Sequence, residues 1–185
     1  MRKAKCLLVG LVGVALVQLV VPASMIVRRE RCLREGRAFK FLTRPLDPYD
    51  PFRGRYVTLS PAAATVPGSA PEGARWGETL RGWVTVGSDG YATFGRLTRE
   101  RPDDTPYVDV RMLWSQQDTQ TTVRLPFDRF YMDETDAPEA ERVYAQHARE
   151  TNSFVVVRVL DGFAVIEDLY VAGRPIREVL KEQTP

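Results

Sequence analysis

From Cys6 to Val27 the chain runs 22 residues without a charge, and a small domain has no interior able to hide such a stretch as one helix. At about 1.5 Å rise per residue that helix would be ~33 Å long, enough to cross a ~30 Å hydrocarbon core. Arg2, Lys3 and Lys5 precede the stretch and Arg28, Arg29 and Arg31 follow it. The expectation is a transmembrane anchor over residues 1–27 with a short basic tail. Pro22 would bend the helix without ending it. Gln18 is its most polar member, placed to hydrogen-bond to another membrane helix. A cleaved leader ending near Val21-Pro22-Ala23 is the alternative. The apolar stretch continues through Met25-Ile26-Val27, longer than the usual leader core of roughly 7–15 residues, and favours retention.

What remains of the 185 residues suits one domain and leaves no room for a multidomain enzyme. Residues 28–44 hold seven basic groups (Arg28, Arg29, Arg31, Arg34, Arg37, Lys40, Arg44) and two acidic ones, Glu30 and Glu35. This reads as a juxtamembrane collar for anionic headgroups. Residues 45–185 are net acidic, with 16 basic and 22 acidic groups by subtraction from the totals of 26 and 24. An acidic domain repels phosphate backbones, so nucleic acid is not the expected partner. The bilayer is, with a polytopic membrane protein beside it. Orientation is contested, because the collar favours an inside domain while a short basic start is how exported anchors begin. The expectation is N-terminus in and C-terminal domain periplasmic, on a bacterial inner membrane. With one His and two Cys, a zinc cage of these ligands alone and a disulfide-dense scaffold are both excluded, and no cofactor is expected. Cys6 and Cys32 cannot meet, since 26 helical residues would separate them by roughly 39 Å.

Beyond the anchor, β-branched and aromatic residues alternate with polar ones. Strands are expected around Phe39 and Phe41, over Tyr56–Leu59, Trp83–Val86, Tyr91–Leu97, Tyr107–Trp114, Thr121–Leu125, Phe154–Leu160 and Phe163–Val171. Asp89-Gly90 and Asp161-Gly162 are hairpin turns, each glycine supplying positive φ. In the Tyr107–Trp114 strand, Val108, Val110, Met112 and Trp114 form the face expected to be buried. One short helix is expected near 137–149, with Asp136 as cap, Glu139 in capping-box spacing, and Ala140, Val143, Tyr144 and His147 on one face. His147 reads as a packing residue.

Two halves echo one another. Pro51-Phe52-Arg53-Gly54-Arg55-Tyr56-Val57 matches Pro126-Phe127-Asp128-Arg129-Phe130-Tyr131-Met132. Residues 89–97 match 161–169, and Arg101-Pro102 matches Arg174-Pro175. The order is kept and the offsets agree within three residues. Repeat halves of about 38–102 and 108–175 that cannot bury their apolar faces alone would pack together. The expected domain, 45–185, is mainly β: a small β-barrel-like body whose closure removes sheet edges.

At Asp47-Pro48-Tyr49-Asp50-Pro51-Phe52-Arg53-Gly54-Arg55-Tyr56-Val57-Thr58-Leu59 the chain resembles the bacterial family named for its GDYXXLXY motif. Gly54, Tyr56 and Leu59 match, whereas Arg55 stands for the family Asp and Pro61 for the last Tyr. Pro126-Phe127 to Glu134 and the hairpin from Asp161-Gly162 to Asp168-Leu169-Tyr170 extend the likeness. The resemblance implies one N-terminal transmembrane helix followed by a β-rich domain of unknown function. In this chain Gly54 and Tyr56 read as structural: a tight entry to a strand and a side chain on one of its faces.

No glycine-rich phosphate loop, metal-ligand spacing or nucleophile motif is present. The expected function is a membrane-anchored binding or assembly module beside another membrane protein, without identifiable catalysis. Two alternatives stand beside it. One is a signal-peptidase-like hydrolase using Ser24 with Lys40, which needs a neutral lysine within hydrogen-bond reach. The other is an envelope ligand sensor with Trp76, Trp83 and Trp114 as stacking surfaces and Asp133-Glu134-Thr135-Asp136 as a cation site.

Overall fold

The computed structural model describes residues 2–44, 56–116, 119–131, 139–140, 142–144 and 153–183. Helix α1 (Arg2–Glu35) is continuous through Pro22, so the missing donor at that proline is tolerated. Its side chains are described at Leu11 and from Gly13 onward, and among the described residues no helix is long and apolar enough to cross a membrane. Leu11 to Val27 makes only about 17 residues, or ~25 Å of helix. The span expected from Cys6 therefore needs side chains outside the described set. Residues 28–44 divide between the last turns of α1 and strand β1 (Arg37–Arg44).

The rest is mainly β, in two five-stranded antiparallel sheets and a ribbon. The first sheet has the order β12-β11-β10-β1-β3, with β3 Ser60–Pro61, β10 Ser153–Leu160, β11 Phe163–Val171 and β12 Arg174–Pro175. The second runs β4-β8-β7-β5-β6, with β4 Thr65–Pro67, β5 Thr79–Val86, β6 Ala92–Thr98, β7 Tyr107–Gln116 and β8 Gln120–Arg124. The ribbon joins β2 (Tyr56–Thr58) to β9 (Arg129–Tyr131). All eight strands expected from the alternation are present. The segments β3, β4, β9 and β12, two or three residues each, are too short to show a period.

Closure into a barrel is corrected by this topology. In the second sheet the outer strands β4 and β6 come within 8 Å of each other at their Cα atoms but share no ladder. β1 and a single 3-10 turn (Ala62–Ala64) pack against β6 there, so side chains rather than backbone hydrogen bonds seal the gap. Phe41 of β1 lies 5.7 Å from Phe94 of β6 and 5.0 Å from Phe127, ring to ring. Three of the four edge strands, β12, β3 and β4, are very short, which limits the edges that closure would have removed.

The alternation of β7 holds through Val108, Val110 and Met112, all buried, and then fails. Trp114 is 53% exposed. A bulge between Met112 and Trp114 opposite β8 absorbs one extra residue and turns the following side chains over. Tyr107, on the opposite face from Val108, Val110 and Met112, is buried as well, where β7 meets the Asp161-Gly162 turn: Val108 bridges Gly162, and Asp109 N–H donates to the Gly162 carbonyl at 2.9 Å.

Residues 139–140 and 142–144 are helical, and Ala140, Val143 and Tyr144 enter the core as the spacing requires. Asp136 and His147 lie outside the described residues. A further helix, α2 (Ile176–Gln183), follows β12 and buries Ile176 and Leu180.

Candidate functional site at the foot of the N-terminal helix

The last turns of α1 are locked onto the β10–β11 hairpin. Cys32 has no exposed surface, and its thiol is 3.3 Å from the carbonyl oxygen of Arg158 and 3.6 Å from that of Phe163. Burial pushes this thiol's pKa up, because a thiolate there would lose its hydration. Arg28, one turn earlier, lies with its guanidinium carbon 4.3 Å from the centroid of the Phe163 ring. Gly36 ends the helix with its N–H donating to the Cys32 carbonyl at 2.9 Å, and a Cβ at Gly36 would collide with that oxygen.

Arg158 links the helix end to the sheet. It forks onto Glu167 at 2.7 and 2.9 Å and donates to the Gly36 carbonyl at 3.2 Å. Its hydrogen bond holds the Glu167 carboxyl below its ordinary pKa. Glu167 is the bulged residue of β11, since Val156 pairs with Asp168 and Val157 with Ile166. The extra residue aims its carboxylate at Arg158. Along α1 itself, Arg31 pairs with Glu35 at 2.8 Å and Arg34 with Glu30 at 3.2 Å.

The same turn reaches the second sheet. Arg101 binds Asp161 at 2.6 Å and stands over Tyr107 at 5.8 Å. Asp161 and Gly162 have φ of 49° and 80°, both positive, the geometry of a two-residue type I′ turn. A Cβ at Gly162 would meet the Tyr107 ring at 2.6 Å and the Asp109 carboxyl at 3.0 Å. So α1, the β10–β11 turn and β7 form one junction.

The residues singled out from sequence are not gathered at one point. Gln18 is exposed on α1. Gly54 lies outside the described residues. Tyr56 is in β2, directly opposite Tyr131 of β9, and Leu59 is a core residue, 2% exposed. Asp89 accepts from the Tyr91 N–H at 3.1 Å, and Gly90 has φ 80°. Asp161 and Gly162 alone belong to the junction. The Ser24 hydroxyl donates to the Val21 carbonyl of its own helix at 2.7 Å, while Lys40 on β1 has its ammonium 5.4 Å from the Phe154 ring centroid. Trp76 is 79% exposed; Trp83 donates its indole N–H to the Thr98 hydroxyl at 3.0 Å. Asp133-Glu134-Thr135-Asp136 lies outside the described residues, and among those described no three His, Cys, Asp or Glu side chains cluster for a metal.

Cys32, Arg158 and Glu167 were not foreseen as partners. Cys32 lies more than a hundred residues from Arg158 and Phe163 in the chain, which hides that contact in the sequence.

The family model for the GDYXXLXY protein matches residues 18–169, most of the chain. The chain belongs to the GDYXXLXY family. The matched span of this GDYXXLXY chain runs from Gln18 through the whole junction to Leu169. No curated protein and no solved structure matches it.

Proposed function

We propose that this GDYXXLXY-family chain is a membrane-tethered binding or assembly module that works beside another membrane protein and carries no catalysis of its own. The observation that supports it most is the surface of α1. Leu11, Val14, Leu16, Val17, Leu19, Val20, Val21, Met25, Ile26 and Val27 are each more than half exposed. A helix apolar on every side is at home in lipid or among other helices. With Cys6 to Gly10 added from sequence it reaches the length of a membrane span. Because Cys32, Gly36 and Arg158 fix α1 to the sheets, the domain would stand at one angle to the bilayer, which suits a module that presents a surface to a neighbour. Gln18 is the polar group on the span able to meet a polytopic partner. In this reading the N-terminus lies inside and the domain stands in the periplasm, tethered to the bacterial inner membrane.

The body is read as two copies of one unit, 38–102 and 108–175. Supporting this, the hairpins β5–β6 and β10–β11 each carry a bulge at matching echo positions, Gly95 and Glu167. The echoed tyrosines Tyr56 and Tyr131 pair with each other.

Detergent pulldown tests the proposal. Wild type should retain a membrane-protein partner that Gln18→Leu weakens and a chain with an exchanged α1 helix loses. Retention of every partner by the exchanged chain rejects helix-mediated assembly. Single cysteines placed at exposed domain positions should react with a membrane-impermeant thiol reagent in intact spheroplasts; protection until lysis reverses the orientation.

A further inference from the structure

The outer face of the second sheet departs from the acidic character of the domain. Ladder registry sets Thr79, Arg111 and Arg124 in one row across β5, β7 and β8. Arg81 faces Asp109 in the next row, and Trp83 faces Arg96 in the one after. Four arginines thus share a face on which Asp109 is the carboxylate, and Asp109 is already approached by Arg81 at 3.6 Å. Arg96 is occupied over the Trp83 ring at 5.5 Å.

Arg111 and Arg124 are different. They are direct cross-strand partners, an arrangement of like charges that destabilises a sheet unless something between them is negative. Both are exposed, and no ion pair joins either to a described carboxylate. They line a cleft of about 280 Å³ with Thr79, Asp109, Leu125 and Pro126. Leu125 is buried and gives the cleft a fixed wall. Two guanidinium forks beside a threonine hydroxyl present donors in the planar pairs that tetrahedral oxyanions accept. The cleft also adjoins the α1 junction, since Asp109 touches the Gly162 turn.

We propose that Arg111 and Arg124 jointly hold a phosphate group, delivered either by a free phosphorylated small molecule or by an anionic lipid headgroup. The site needs no membrane tether to exist, so it stands or falls apart from the function proposed above.

The test uses the full chain in maltoside micelles, with thermal unfolding followed in inorganic phosphate against chloride at equal ionic strength. Phosphate should raise the melting temperature of wild type, since a ligand that binds only the folded state stabilises it. Arg111→Gln and Arg124→Gln should each weaken that response at least tenfold in phosphate concentration. Arg142→Gln, which removes a guanidinium from the Glu139 ion pair, should leave it intact. In chloride the two cleft variants should melt no lower than wild type, because each relieves a like-charge contact. Phosphate should also shift the side-chain N–H resonances of Arg111 and Arg124 in unmutated protein, a readout independent of variant folding. Short-chain phosphatidylglycerol acting at tenfold lower concentration than inorganic phosphate assigns the site to lipid; equal or weaker action assigns it to a soluble phosphate. Absence of any phosphate-specific rise, or its persistence in both cleft variants, overturns the proposal.

Discussion

Tyr56 and Tyr131 lie directly opposite one another in the β2–β9 ribbon, with Val57 facing Phe130 and Thr58 facing Arg129. In sequence these tyrosines hold the same place in two echoing segments, so the echo meets itself at this pair. The same exchange recurs in the sheets. β1 pairs with β10, and β7 pairs with β5, so the chain on each side of Thr105 lends a strand to a hairpin on the other side.

That exchange makes each half dependent on its counterpart. Cut between Asp104 and Thr105, the chain should give two fragments that lack cooperative unfolding alone and regain strand signal when mixed. Circular dichroism of each fragment and of the equimolar mixture measures this. A first fragment that folds by itself contradicts the interlocked pairing.

The two hairpin glycines should differ in sensitivity. Gly90 and Gly162 both have φ of 80°, but a Cβ at Gly90 meets nothing within 4 Å while one at Gly162 meets Tyr107 and Asp109. Gly90→Val should lose about 1–2 kcal/mol from the left-handed backbone. Gly162→Val adds a steric penalty of ~1–3 kcal/mol on top. Equal melting temperatures for the two variants would show that the contact beneath Gly162 is absent.

Arg158 should matter more than its ion-pair partner. Glu167→Gln removes a contact whose side chains are 30% and 38% exposed, a loss of roughly 0.2–1 kcal/mol after solvent screening. Arg158→Met removes that contact and also the donor to the Gly36 carbonyl, raising the loss to about 1–2 kcal/mol. The Glu167 carboxyl is held below its ordinary value. Its stabilisation is therefore full above the unfolded carboxyl's pKa and disappears as pH falls through the lowered folded value. Urea melts between pH 3 and 7 should show Glu167→Gln with a flatter acid limb than wild type.

Cys32 should resist alkylation in the folded protein and react once it unfolds, because burial raises its pKa and covers the sulfur. The sign for stability follows from the same shift. The folded state favours the neutral thiol, so this contribution is complete below the unfolded thiol's pKa and is lost as pH rises through the raised folded value. Cys32→Ala should reduce the alkaline loss of stability. Iodoacetamide labelling under native conditions, followed by mass spectrometry, measures accessibility directly; rapid native labelling would contradict the packing of α1.

Sequence alone determined the elements whose signal is local. The charge-free stretch becomes part of α1, the alternating segments become β1, β5, β6, β7, β10 and β11, and Asp161-Gly162 becomes a type I′ turn, because periodicity and positive φ act over a few residues. Tertiary structure decided how those elements join. One bulge exposes Trp114 where simple alternation buries it, and another interrupts the β10–β11 register at Glu167. Phe41 fills a seam with Phe94 and Phe127 where a closing ladder was expected, and Cys32 finds its carbonyl partners more than a hundred residues away. These outcomes depend on which backbone surfaces approach in space, and no residue's nearest neighbours in the chain encode that approach.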